Sequence, residues 1–468
     1  MKIEQIYTGC LAEATYYIES EGEVAIIDPL REVQPYIERA SASGARIKYV
    51  LETHFHADFV SGHLDLAKKT GAQIVYGPTA TPGFDAHIAQ DGELLQLGKV
   101  TFKVLHTPGH TMESSTFLLY NELGEEEAIF TGDTLFIGDV GRPDLAVSSD
   151  RSREDLSGHL YDSLRNKIMT LPDHVVVYPG HGAGSACGKN MSAETSDTLG
   201  RQRLFNYALR HGMTREEFIK EVTAGLVPPP QYFPKNAVMN KMGYESIDQV
   251  LERGLVPLDA RSFQDVMARN QVLVLDTRPA EAFIRAHIPG SLWVGIDDNF
   301  APWIGALIED LDQPIVFIAA PGREEEVVTR LARVGYHQAL GYLDGGLAAW
   351  AASGHPTEAL ASIGAQDFVG MFDTELLQVL DVRKESEYES QHIKGVHNFP
   401  LDFIYRNLDT LDQDKKYYVH CQGGYRSVIA CSILRYHGFH VVNISGGLAE
   451  ISKTCVKLTR YNESSTML

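Results

Sequence analysis

The second half of this 468-residue chain repeats itself, and no other feature limits its fold so sharply. Leu273-Val-Leu-Asp-Thr-Arg278 recurs as Val379-Leu-Asp-Val-Arg383, and His287-Ile-Pro-Gly290 recurs as His392-Ile-Lys-Gly395. Asp276 to Asp381, His287 to His392 and Gly290 to Gly395 are each offset by 105, and Gly345-Gly346 to Gly446-Gly447 by 101. Three segments in one order at a nearly constant offset mean two copies of one unit. Each copy reads strand, turn, helix, strand, loop, helix, which predicts a parallel α/β sheet.

Upstream, strand-like runs rich in β-branched and aromatic residues end in Gly, Pro or Asp: Glu23–Asp28, Lys48–Glu52, Gln73–Tyr76, Val100–Leu105, Ala128–Thr131 and His174–Tyr178. Val227-Pro-Pro-Pro-Gln-Tyr-Phe-Pro234 interrupts the pattern with an extended, semi-rigid segment. The expected divisions are a first domain over 1–226, a Pro-rich and helical connector over 227–245, the first repeat over 246–358 and the second over 359–468.

Against 41 Lys and Arg stand 62 Asp and Glu, a net charge of −21, which repels nucleic acid and anionic membranes. No apolar run reaches the roughly 18 residues of a membrane span, and the N-terminus lacks the pattern of a secretory signal. Five cysteines without regular spacing do not make a disulfide framework, so a cytoplasmic location is expected.

Chemistry-bearing residues in the first half stand just beyond the strand-like runs. They lie in Thr53-His-Phe-His-Ala-Asp-Phe59, Thr107-Pro-Gly-His110, Phe130-Thr-Gly-Asp133 and Tyr178-Pro-Gly-His181. Four His and two Asp delivered by strand-end loops are ligands suited to a first-row metal. These motifs resemble the metallo-β-lactamase superfamily, whose signature is His-x-His-x-Asp-His. Position six here is Phe59, which cannot ligate. In dinuclear members that histidine helps hold the second metal, so its loss argues for one metal.

Thr-His-x-His-Ala-Asp, Thr-Pro-Gly-His-Thr and Thr-Gly-Asp followed by Gly-Arg-x-Asp are similar to persulfide dioxygenases, a mononuclear iron branch of that superfamily. The resemblance implies an αββα sandwich with one Fe(II) per chain on His54, His110 and Asp133. His56, Asp58 and His181 then orient the ligands from behind. Arg142, nine residues beyond Asp133, is a candidate to fork onto an anionic substrate group, with an ion pair to Asp144 or Asp139 as the alternative. Cys187, six residues past His181 in a small-residue loop, is placed at the mouth of the metal site, with a passive loop thiol as the alternative.

In the last repeat an apolar strand ends at Cys421, and Gln422-Gly-Gly-Tyr-Arg426 leads into a helical run. Loop N–H groups, a helix N-terminus and the Arg426 charge all favour a reactive thiolate. The Cys-x₄-Arg loop, with Asp381, Arg383, His392, Gly395 and Gly446-Gly447, resembles rhodanese sulfurtransferases, which carry a sulfane sulfur on the cysteine. Aligning Arg323 with Arg426 sets Ile318 at the cysteine position, so the first repeat is expected to be inactive. Cys10, Cys431 and Cys455 sit in ordinary apolar or terminal contexts.

The resemblance covers essentially the whole chain and implies one coupled activity. A low-molecular-weight thiol persulfide reacts with O₂ to give sulfite and thiol, and Cys421 passes sulfur to sulfite to make thiosulfate. The partners expected are these small molecules, with no nucleic acid and no membrane; a homo-oligomer is compatible with the sequence. The rival readings are a zinc thioester hydrolase like glyoxalase II with an attached rhodanese, and a sulfur-relay binding module.

Overall fold

Alternation of buried and partly exposed side chains builds the strands of the first half. In Val100–His106, Val100, Phe102 and Val104 are buried while Thr101 and Lys103 reach toward solvent, the period-two pattern of a sheet with one face in the core. The computed structural model describes residues 1–146, 151–269, 271–297, 299–372 and 376–459. The chain forms two units: Met1–Gln249 with Ala332–Gly335, and Val250–Leu331 with Tyr336–Leu468.

The first unit holds two six-stranded sheets. One runs β1 (Lys2–Thr8), β2 (Glu13–Ser20), β3 (Glu23–Ile27), β4 (Arg46–Leu51), β5 (Gln73–Tyr76) and β6 (His87–Ile88) in sequence order. The other holds β7 (Leu94–Leu97), β8 (Val100–His106), β9 (Ser115–Tyr120), β10 (Glu126–Gly132), β11 (Val176–Pro179) and β12 (Asp197–Thr198). Tyr16, Ile18, Ile27 and Val75 from the first sheet pack against Phe102, Phe117 and Phe130 from the second. Helices cover both outer faces: Gln34–Ala42 and His63–Thr70 pack on the first sheet, Arg153–Ser163 and Leu199–Phe205 on the second. This is the expected αββα sandwich. A capping box of Ser152 with Asp155 starts the helix Arg153–Ser163.

The second unit confirms the repeat as structure. Its first sheet contains β13 (Pro257–Leu258), β14 (Leu273–Asp276), β15 (Leu292–Trp293), β16 (Ile315–Ile318) and β17 (Ala339–Leu343), in the order β13-β17-β16-β14-β15. Its second contains β18 (Ser362–Ile363), β19 (Gln378–Asp381), β20 (His397–Asn398), β21 (Lys416–His420) and β22 (His440–Ile444), in the order β18-β22-β21-β19-β20. Every pairing in both sheets is parallel. Among the described residues no helix is long and apolar enough to cross a membrane.

Candidate metal centre and sulfur-carrier site

Four strand ends converge on the metal-ligand set. His54 follows β4, His110 follows β8, Asp133 follows β10 and His181 follows β11; all four residues are buried. The loops are tied together by Ser115 N–H to Thr53 O and Gly180 N–H to Gly132 O, both 2.9 Å. They approach so closely that a Cβ on Gly180 would lie 2.7 Å from Asp133 Oδ1, and one on Gly141 would collide with the Asp133 carbonyl.

The donor atoms of His54, His110 and Asp133 all lie within 4.8 Å of one another. His110 Nε2 is 3.4 Å and His54 Nε2 4.0 Å from Asp133 Oδ2, near the separation of atoms that share one ion at roughly 2.1 Å each. The opposite ring nitrogens fix the tautomers. His110 Nδ1–H donates to the Arg142 carbonyl at 2.9 Å. Thr53 Oγ1 donates its hydrogen to Asp28 Oδ2 and therefore accepts from His54 Nδ1–H at 3.0 Å. Both Nε2 lone pairs are thus presented to the site. Burial first, then the neighbouring His56, His110 and His181, pull His54 well below the ordinary imidazole range, which keeps it in the neutral form that ligates. Neither Asp133 oxygen accepts a hydrogen bond from any nitrogen or oxygen donor among the described residues. A buried carboxylate in that state is costly without a cation, so this donor set fits a divalent metal.

His56, Asp58 and His181 form a second buried group with donor atoms within 4.8 Å. His181 Nε2 lies 3.3 Å from Asp58 Oδ2 and 3.6 Å from Asp133 Oδ1, so this group adjoins the first. His56 turns toward Asp28 (3.1 Å) and Glu52 (3.6 Å). Sequence reasoning does not single out Asp28 or Glu52. Asp28 directly follows β3 in a left-handed conformation (φ 50°) and accepts from Thr53 N and Oγ1, both at 2.8 Å. Its one signal in the sequence is its place as the acid closing a predicted strand.

Two residues left between alternatives, Arg142 and Cys187, find their surroundings. Arg142 is not available to substrate: its guanidinium forks onto Asp144 with two 2.7 Å bonds and donates to the carbonyls of Ala186 and Val227. The ion-pair alternative is the one the geometry supports, because every face of the fork has a partner. Cys187 lies beside the metal-site residues but is buried. It is 1% exposed, and its sulfur groups with Asp133 and His181 within 4.8 Å. Burial, then the Asp58 and Asp133 carboxylates, push its thiol well above its ordinary value.

In the second unit Cys421 directly follows β21, buried, and its Sγ accepts Gly424 N–H at 3.1 Å. The helix Tyr425–Tyr436 starts one residue later and turns its positive end toward the sulfur. Gly446-Gly447 lets the chain pass close beneath this loop. Leu448 N–H and Ala449 N–H clasp the carbonyls of Cys421 and Gln422 at 2.7 and 3.0 Å, and a Cβ on Gly447 would strike the first of them. Arg383 forks onto Asp381 and reaches Gln422 Oε1 at 3.4 Å. Arg426 carries its charge in a pair: Glu387 holds both its terminal nitrogens at 2.6 and 2.8 Å. Burial would raise the Glu387 carboxyl, but Arg426 holds it below the usual range. In the first repeat Ile318 ends β16, and Arg323 pairs with Glu326 and Asp297. That repeat also touches the sulfur loop, since Tyr425 OH donates to Gly295 O at 2.8 Å.

The Metallo-beta-lactamase superfamily pattern matches residues 8–181, and the Rhodanese-like domain pattern matches 259–353 and 364–454. The chain is 31% identical over 211 residues to a mitochondrial persulfide dioxygenase of Bos taurus, covering 45% of this chain and 74% of that protein. The chain belongs to the metallo-β-lactamase superfamily. Its superfamily domain precedes two rhodanese-like domains. Relatives differ in activity. A probable hydroxyacylglutathione hydrolase of Schizosaccharomyces pombe is 34% identical over 166 residues, 35% of this chain and 60% of that protein's length. A crystal structure described as a metallo-beta-lactamase from Staphylococcus aureus matches with a TM-score of 0.65 and 31% identity, over 73% of this chain and 98% of that one. The superfamily fold implies a metal, and the rhodanese-like domains imply small-molecule sulfur chemistry.

Proposed function

We propose that this chain is a mononuclear non-haem iron persulfide dioxygenase whose product is used by a sulfurtransferase centred on Cys421. The observation that carries the reading is Phe59. Its ring is fully buried against His56, with 4.4 Å between ring centroids, at the motif position where a dinuclear site needs an imidazole, while His54, His110 and Asp133 stand together. Two histidines and one carboxylate suit Fe(II) and leave coordination positions open. When bound there, iron would supply the redox chemistry that joins O₂ to a sulfane sulfur.

The chain's own groups do the rest. The Arg142 carbonyl and Thr53 hold the two imidazoles neutral and aimed. R–S–SH, O₂ and water give R–SH and sulfite, with both O₂ atoms and the water oxygen ending on the departing sulfur. At Cys421 the Gly424 N–H and the helix N-terminus stabilise a sulfur anion. The Cys421 thiolate attacks the outer sulfur of a second R–S–SH, releasing R–S⁻ and forming the cysteine persulfide; sulfite then attacks its terminal sulfur, the S–S bond breaks, thiosulfate leaves and the thiolate returns. Carrying both sites on one chain raises the effective concentration of sulfite at the second.

Elemental analysis is expected to find about one iron per chain, with O₂ uptake on glutathione persulfide. A second reading, a zinc thioester hydrolase, is favoured by the adjoining His56–Asp58–His181 group. Two zinc ions per chain with turnover of a glutathione thioester and no O₂ uptake would establish that reading instead.

Cys187 provides a finer test. Its sulfur faces Asp133 and His181, so exchanging it for a hydroxyl alters the wall of the metal site without removing a ligand. Cys187→Ser is expected to lower O₂ turnover at saturating persulfide while iron content and Cys421 sulfurtransfer stay as in wild type. Equal turnover would make Cys187 a bystander.

A further inference from the structure

The segment that carries the first ligands, Thr53–Ser61, is buried throughout and contains no helix or strand. Such a segment must find hydrogen-bond partners for its backbone outside any ladder. Part of the supply is local: Thr53 N–H goes to Asp28 and Phe55 N–H to Glu113. Val60 N–H goes to the Arg333 carbonyl at 2.7 Å, and three further backbone groups are met from about 180 residues downstream, beyond the Pro-rich segment, by the helix Phe233–Met242.

Asn240 on that helix is fully buried. Its Nδ2 donates to His56 O and to Phe59 O, both at 2.7 Å, and its Oδ1 accepts Ser61 N–H at 2.9 Å. Two donors and one acceptor on a single planar amide satisfy three backbone groups on either side of Asp58, which only Asn or Gln can do. Neighbouring residues hold the helix end in place. Tyr244 OH donates to Ser61 O and accepts Leu64 N–H. Gly83 N–H meets Lys241 O at 2.7 Å. The buried Arg31 joins Asp65 to the Glu245 carbonyl and lies 4.2 Å from the Tyr244 ring centre. The residues expected to be a connector therefore complete the first unit.

We propose that Asn240 is a positioning residue of the metal centre: it fixes the backbone of the His54–Asp58 motif and so sets how His54 meets a metal held with His110 and Asp133. The inference holds for iron or zinc and for either activity, because it concerns only the holding of a divalent ion.

The test uses the full chain with Co(II) as probe. Asn240→Asp keeps the size and an acceptor for Ser61 N–H, but sets an oxygen against the carbonyls of His56 and Phe59. Co(II) affinity should fall by about 10–100-fold, the usual cost of losing a group that orients ligands, and release to a chelator should quicken accordingly. The visible Co(II) bands should shift, which a merely destabilised but correctly arranged site would not show. If Asn240→Asp does not fold, Asn240→Ser, too short to reach all three groups, carries the same expectations. Wild-type bands and release rate in a folded variant would overturn the proposal alone. Failure of the wild type to bind Co(II) would overturn the metal site and this proposal together.

Discussion

His110→Ala is expected to empty the metal centre and abolish O₂ uptake while sulfurtransfer at Cys421 continues. His110 is buried, and its Nδ1–H is committed to the Arg142 carbonyl, so Nε2 has one orientation, 3.4 Å from Asp133. Truncation removes one of three proposed ligands and leaves a methyl group in a polar cavity. The effect should exceed the roughly 10–100-fold in metal affinity that changes behind the ligands cost, and no detectable iron should survive purification. Elemental analysis, an oxygen electrode and sulfur transfer from thiosulfate to cyanide give the three readouts. Iron content and O₂ uptake near wild type would show that the ligand set is wrong; joint loss of sulfurtransfer would show that the variant fails as a whole.

The grouping of His54, His110 and Asp133 was legible because all three stand just past strands, where an apolar run followed by His or Asp marks both the strand and the loop. The repeat was legible for a similar reason: Asp276 and Asp381 close the corresponding interior strands of two sheets with one strand order. Long-range side-chain pairing left no such trace. Glu387 meets Arg426 across 39 residues, and Asn240 meets His56 across 184. Neither pair has a spacing that periodicity can detect, and a helix behind three prolines reads as a linker until its buried amide is seen against the motif. Arg142 was open between two uses, and the ion pair is the one found. Its partner Asp144 lay two residues away in plain view, but a fork that can grip a substrate can equally grip a neighbour, and only geometry separates the two uses.

Cys421→Ser is expected to change the product and leave O₂ consumption in place. The serine oxygen would take the sulfur's position at the end of β21, so the Gly424 N–H and the helix end would still face it. A hydroxyl is not ionised near neutral pH and forms no bond to a sulfane sulfur that a nucleophile can reopen. Sulfur loading is therefore lost outright rather than slowed. The first repeat offers no substitute: Ile318 stands at its strand end, and its Arg323 is held by Asp297 and Glu326. With persulfide and O₂ supplied, sulfite should accumulate in place of thiosulfate at the wild-type rate of O₂ uptake. Chromatography of the sulfur oxyanions, with the enzyme-free reaction subtracted, measures the switch. A thiosulfate yield equal to wild type would place the sulfur carrier elsewhere, whereas loss of O₂ uptake together with thiosulfate would mean that the first site depends on Cys421 and that the two reactions are not separable steps.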